Sequence, residues 1–106
     1  MIEPITPEDL KQRIDAGEAL VLLDVREDDE VAHAPFPGAL HIALSELSLR
    51  HIELDPDEPT VVICHHGIRS ANAAGALEHL GFETLFNLTG GIDRWSVRVD
   101  PSVARY

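Results

Sequence analysis

The 106-residue chain holds one cysteine, one methionine, one tryptophan and one tyrosine. A single cysteine cannot close an internal disulfide, so no staple holds the fold, and the expected compartment is the reducing cytoplasm. It also leaves no resolving thiol within the chain, so chemistry begun on it must finish on another molecule. Basic residues are scarce: 8 Lys and Arg stand against 19 Asp and Glu, for a formal charge of -11. That balance excludes nucleic acid and anionic membrane as general partners. No apolar run approaches the ~20 residues of a membrane span. The opening Met1-Ile2-Glu3-Pro4 lacks both the basic and the apolar region of a signal peptide. GxGxxG and Walker A sequences are absent, so nucleotide binding has no support.

What is present fits one domain over residues 1–106, long enough to bury a core without metal. Thr6-Pro7-Glu8-Asp9 reads as a capped helix start, with Gly17 as its stop. Ala19–Arg26 is apolar without alternation, which suits a strand buried on both faces, and its polar Asp24 and Arg26 come at the carboxyl end. Glu27–Glu30 is a charge run, read as a solvated face or a helix start. Strands are expected over 39–44, 60–63 and 84–88. Helices are expected over 46–52 and from about Arg69 to Leu80, and Ile92–Trp95 forms a last short helix or turn. Strands and helices alternate, which predicts an α/β fold with a mostly parallel sheet of four or five strands flanked by helices.

The charge is lopsided. Residues 1–63 hold fifteen acids and four bases, whereas residues 64–106 hold four of each. The negative excess therefore lies before Cys64; it reads either as an acidic surface that keeps the protein in solution or, more sharply, as leaving the cysteine loop in a locally neutral or positive patch that can accept a small anion.

Chemistry centres on Thr60–Ser70. A β-branched run ends at Cys64; His65, His66 and Gly67 form a polar loop; a small-residue helix follows. A thiol attacks only as thiolate, and a free cysteine has a pKa of about 8.5. Backbone N–H groups from His65 to Arg69, the helix N-terminus and the Arg69 cation would all favour the anion, with the two histidines as further partial charge. Against this, a lone cysteine at a strand end is often a small core residue. The residues alone leave nucleophile and core evenly open. Metal is not expected: three adjacent ligands at Cys64, His65 and His66 cannot converge on one ion, and no second cluster has ligand spacing. No cofactor is implied.

The loop Cys64-His65-His66-Gly67-Ile68-Arg69-Ser70 resembles the active loop of the rhodanese (sulfurtransferase) family. Three further stretches resemble that family's motifs in the same order: Asp24-Val25-Arg26 with Glu30, Pro37-Gly38-Ala39 with Ile42 and Leu44, and Gly90-Gly91-Ile92-Asp93-Arg94-Trp95. The resemblance implies a persulfide mechanism. Cys64 would take a sulfane sulfur from a donor such as thiosulfate and pass it to cyanide, a thiol or a protein acceptor. His65, His66, Gly67, Ile68, Arg69 and Ser70 would wrap the transferred sulfur, with Arg69 fixing the loop or holding the anionic donor. Asp24 and Arg26 would support the site or the fold. The ending resembles a subgroup that works beside adenylyltransferases and sulfur-carrier proteins, which makes such a protein an expected partner. One departure stands out. The family's Gly-His-Ile before Pro-Gly-Ala is replaced by Ala34-Pro35-Phe36, so the role of that histidine does not carry over.

Two rival functions remain. Non-catalytic regulators share this fold, but typically lack the cysteine. Cysteine-dependent phosphatases and arsenate reductases also use a Cys and an Arg on an anion loop. Phosphatase loops place five residues between the two, whereas four separate Cys64 from Arg69, which makes a smaller cradle.

Overall fold

In the computed structural model, which describes residues 2–106, five strands form one sheet. They are β1 (Ile2–Ile5), β2 (Val21–Asp24), β3 (Leu40–His41), β4 (Thr60–Ile63) and β5 (Leu85–Leu88), in the order β1-β5-β4-β2-β3. Every neighbouring pair is parallel. Five helices flank the sheet: α1 (Pro7–Asp15), α2 (Asp28–His33), α3 (Leu47–Arg50), α4 (Ile68–His79) and α5 (Gly91–Arg98). The α/β architecture and the parallel sheet are as the sequence predicts.

Central strand β4 explains the layering. All four of its residues are buried, and they alternate between two cores. Val62 joins Leu23, Leu47, Ala73, Ala74, Leu77 and Leu85 on the α3 and α4 face. Val61 and Ile63 join Leu10, Phe86, Leu88, Ile92 and Trp95 on the α1 and α5 face. Period-two alternation between two apolar faces is what a continuous apolar run gives in a parallel sheet. Burying each such side chain contributes about 1.5–3 kcal/mol.

Several boundaries differ from expectation. β1 has no counterpart in the sequence reading, because Glu3 and Pro4 break the apolar pattern; proline is tolerated there since β1 lies at the sheet edge. The run expected over 39–44 narrows to the two residues of β3, at the other edge. The charge run Glu27–Glu30 does start a helix, where the Glu27 N–H donates to Glu30 Oε1 at 3.1 Å. Helix α5 extends well beyond Trp95, to Arg98. The first helix starts as predicted, with Thr6 Oγ1 accepting the Asp9 N–H at 3.1 Å.

The connection from β2 runs outward to β3, whereas that from β4 runs the opposite way, to β5. Successive connections therefore diverge between β2 and β4. In open parallel sheets the carboxyl ends on either side of such a switch point frame a crevice. Asp24 ends β2 and Cys64 follows β4 at this place.

Candidate active site

After Ile63 the chain turns through residues 64–67 into α4. Gly67 makes the turn possible: its φ of +107 is open to glycine and costly for other residues. The Gly67 N–H donates to Cys64 Sγ at 3.0 Å, and Ser70 Oγ lies 3.2 Å from the same sulfur. Ser70 in turn donates to Asn87 Oδ1 at 2.5 Å, and Asn87 Nδ2 donates to the Gly67 carbonyl at 3.1 Å. A closed ring of bonds thus joins the loop, α4 and β5 around the thiol. Cys64 is buried, at 1% exposure, among Val62, Ala73 and Ala74. It is packed like a core residue and yet carries two polar partners that a core thiol would not need.

The other side of the loop is fixed by α5. Ile92 N–H donates to the Cys64 carbonyl at 2.9 Å, and Asp93 N–H to the His65 carbonyl at 3.2 Å. This close approach requires Gly91: a Cβ there would stand 2.3 Å from the His65 oxygen and 2.4 Å from the Cys64 oxygen. In a trans peptide the N–H points opposite to the carbonyl. Pinning both carbonyls to α5 therefore turns the His65 and His66 N–H groups away from it. The first amides of α4 have no intrahelical acceptor, and no side chain caps that helix. The site thus combines a thiol with open backbone donors at a helix N-terminus, an arrangement suited to a small anion.

Arg69 does not point its charge freely at this cradle. It forms a fork with Glu30, at 2.5 Å (Nη1–Oε1) and 2.8 Å (Nη2–Oε2). The Arg69 fork holds Glu30 far below the ordinary carboxyl range, at about 2. Asp24 and Arg26 form a second fork, fully buried, with Arg26 Nη2 at 2.6 Å from Asp24 Oδ2 and Nε at 2.9 Å from Oδ1. Burial works against the charge on Arg26, but hydrogen bonds to Asp24 and Tyr106 outweigh it and raise its pKa. Arg26 Nη2 also donates to the Ala34 carbonyl at 2.7 Å. The Ala34-Pro35-Phe36 turn thus supplies an acceptor and, through Phe36, packs on Trp95 at 4.8 Å.

Tyr106 links the two forks. Its hydroxyl accepts from Arg26 Nη1 at 3.0 Å and donates to Glu30 Oε2 at 2.8 Å. Its ring stacks on His65 at 4.0 Å between centroids and 8° between planes. His66 lies on the far side of His65, at 3.9 Å. Burial, and then the neighbouring His66, push His65 below its ordinary value, so it adds no cation near neutral pH. Partial charge from this histidine is therefore disfavoured by its surroundings. Ile68 stands at the rim, 75% exposed.

The structure therefore brings Gly67 and Ser70 to the Cys64 sulfur, stacks His65 between Tyr106 and His66 on the same loop, and turns Arg69 aside onto Glu30. Asp24 and Arg26 reach the loop only through Tyr106 and Glu30. Sequence reading missed Asn87, Tyr106 and the carbonyl contacts made by α5, and it quoted Glu30 in a motif without assigning it a role. Asn87 did leave a signal, as the one polar residue inside the apolar strand Leu85-Phe86-Asn87-Leu88. Among the described residues no cluster of His, Cys, Asp and Glu could hold a metal ion. No helix of the described residues is long and apolar enough to cross a membrane.

A thiol at the switch point of a parallel sheet, beneath the open amides of a helix, defines a cysteine-loop α/β domain. Residues 6–98 match the Rhodanese-like domain family, and the chain belongs to it. It is 40% identical over 100 residues to YtwF of Bacillus subtilis, across 94% of this chain and 96% of that protein. It is 34% identical over 104 residues to a sulfurtransferase of Allochromatium vinosum, across 98% of this chain and 97% of that one. Among solved structures, a rhodanese-related protein from Thermoplasma volcanium superposes with a TM-score of 0.81 at 34% identity, covering 92% of this chain and 93% of that chain.

Proposed function

We propose that the protein is a sulfurtransferase that carries sulfane sulfur on Cys64. The observation that supports this most directly is the Gly67 N–H donating to Cys64 Sγ at 3.0 Å, inside a loop whose other amides are open. The Cys64 thiolate attacks the outer sulfur of a donor of the thiosulfate type. A new sulfur–sulfur bond forms, the donor's own sulfur–sulfur bond breaks, and sulfite leaves with the bonding pair. The outer sulfur of the persulfide then lies among the amides that cradle the thiolate. An acceptor nucleophile (cyanide, a thiol or a protein such as a sulfur carrier or its adenylyltransferase) takes that sulfur and returns Cys64 as thiolate.

Ser70 can follow the charge. Its single hydroxyl hydrogen faces Asn87 Oδ1 while the Cys64 sulfur lies 3.2 Å away. With the thiol protonated, Cys64 S–H donates to Ser70 Oγ. With the thiol ionised, rotation of the hydroxyl lets Ser70 donate to the sulfur instead. The phosphatase alternative needs an arginine on the bound anion, and the Glu30 fork that occupies Arg69 weighs against it.

The test is intact mass under non-reducing conditions after incubation with thiosulfate. We expect gain of one sulfur atom in the wild type and none in Cys64→Ala. Absence of any gain with every sulfane donor tried would sink the proposal. Generic phosphate-ester turnover that disappears in Cys64→Ser would replace it with the phosphatase reading.

A further inference from the structure

Of the eight Lys and Arg side chains, seven face an acidic partner. Lys11 pairs with Asp15, Arg13 with Glu18, Arg26 with Asp24, Arg50 with Glu46 and Glu53, Arg69 with Glu30, Arg98 with Glu8 and Arg105 with Asp93. Arg94 is the one left without an acidic partner among the described residues. In a chain with 19 acids an unpaired arginine is a conspicuous exception.

Its position gives that exception a meaning. Arg94 lines a hollow of about 370 Å³ with His66, Gly90, Asp93, Val97 and Arg98. The side chain is folded back over Gly90, since a Cβ on that glycine would lie 2.7 Å from both Arg94 Cβ and Nε. Gly90 in turn abuts the loop: a Cβ on Gly67 would lie 3.6 Å from Gly90 N. Gly67 is the residue whose N–H holds the Cys64 sulfur. Gly90 thus lies between the Arg94 side chain and the loop glycine that holds the sulfur. The other charges in the hollow are matched. Asp93 is held by Arg105 at 2.9 Å, and Arg98 is shared with Glu8 at 3.4 Å. The net charge left facing this hollow is the guanidinium of Arg94, beside the His66 ring.

We propose that this hollow receives the anionic end of the small sulfur donor, its sulfonate group, and that Arg94 is the cation that binds it. The inference rests on the sulfurtransferase reading. It moves donor recognition from Arg69, which is committed to Glu30, to Arg94. A charge-assisted bond from an arginine to an oxyanion contributes about 1.5–3 kcal/mol. Removing it therefore weakens donor binding by about tenfold or more.

Arg94 is exposed and pairs with no acid, so its replacement leaves the fold intact. Arg94→Gln is expected to raise the KM for thiosulfate by about tenfold or more, with kcat nearly unchanged and partial recovery in Arg94→Lys. Arg98→Gln, at a cation already shared with Glu8, should change KM less. Protein loaded beforehand with excess thiosulfate should discharge to cyanide at the same rate with or without Arg94. If the carboxylate of a thiol acceptor used the hollow instead, Arg94→Gln would leave the thiosulfate KM unchanged and slow discharge to glutathione but not to cyanide; that pattern overturns the donor assignment. Equal KM in wild type and Arg94→Gln, with Cys64 loading in both, overturns the inference and leaves the sulfurtransferase reading standing. Failure of the wild type to load with any sulfane donor overturns both.

Discussion

Two arginine–carboxylate forks meet on one tyrosine hydroxyl, and they differ chiefly in their access to water. In the Asp24–Arg26 fork the side chains are 2% and 0% exposed; in the Glu30–Arg69 fork they are 17% and 33% exposed. Their chemistry is alike. The inner pair has no solvent to fall back on, so each member must satisfy the other and the surrounding backbone. Arg26 does this with Asp24, the Ala34 carbonyl and Tyr106. The outer pair retains water on one side and can tolerate loss of a partner. The comparison separates a fork that holds the crevice from one that orders the rim of the loop.

The largest break should come inside. Asp24→Asn leaves Arg26 as a buried charge without its counterion, at an expected cost of about 3–5 kcal/mol. Chemical denaturation would show this as a lower midpoint with an unchanged slope, and a loss near that of an exposed pair would show that water reaches Arg26. Glu30→Gln should cost less, about 1–2 kcal/mol at neutral pH once screening by solvent is allowed for. This second change carries a pH signature. Glu30 titrates at about 2 in the fold against an ordinary 4.5. Its contribution is therefore full above pH 4.5 and is lost as pH falls toward about 2. The stability gap between wild type and Glu30→Gln should stay constant above that window and close within it; a gap independent of pH would contradict the pairing. Tyr106→Phe should have the smallest effect, about 0.5–1.5 kcal/mol for a bridging hydroxyl. A double-mutant cycle with Glu30→Gln should give a non-additive term, and strict additivity would remove Tyr106 as the link between forks.

Local patterns made much of the fold readable. The run Thr60–Ile63, the glycine turn and the small residues of α4 lie consecutively, so strand, loop and helix could be placed from sequence alone. β1 was hidden because Glu3 and Pro4 conceal a strand that exists only through its pairing with β5. The thiol loop was legible for the same local reason. Its surroundings were not: Asn87, Glu30 and Tyr106 reach the loop from other elements, and no spacing rule connects them to Cys64. Arg69 shows the limit most clearly. Its place after the cysteine suggested a cation for the cradle, whereas a carboxylate on α2 sets where its charge goes. Gly90-Gly91 could be read from the sequence only as part of a motif, and the reason for Gly91 is a rigid contact with two carbonyl oxygens.

That contact also sets an order of events during synthesis. Cys64 is added to the chain before Gly91, Ile92 and Asp93, and at about 5–20 residues per second the interval lasts on the order of seconds. Until α5 docks, the carbonyls of Cys64 and His65 lack the donors that orient their peptides, and Ser70 lacks Asn87. A nascent chain therefore carries the thiol without its cradle. The closed ring around the thiol therefore forms only once β5 and α5 have docked against the loop.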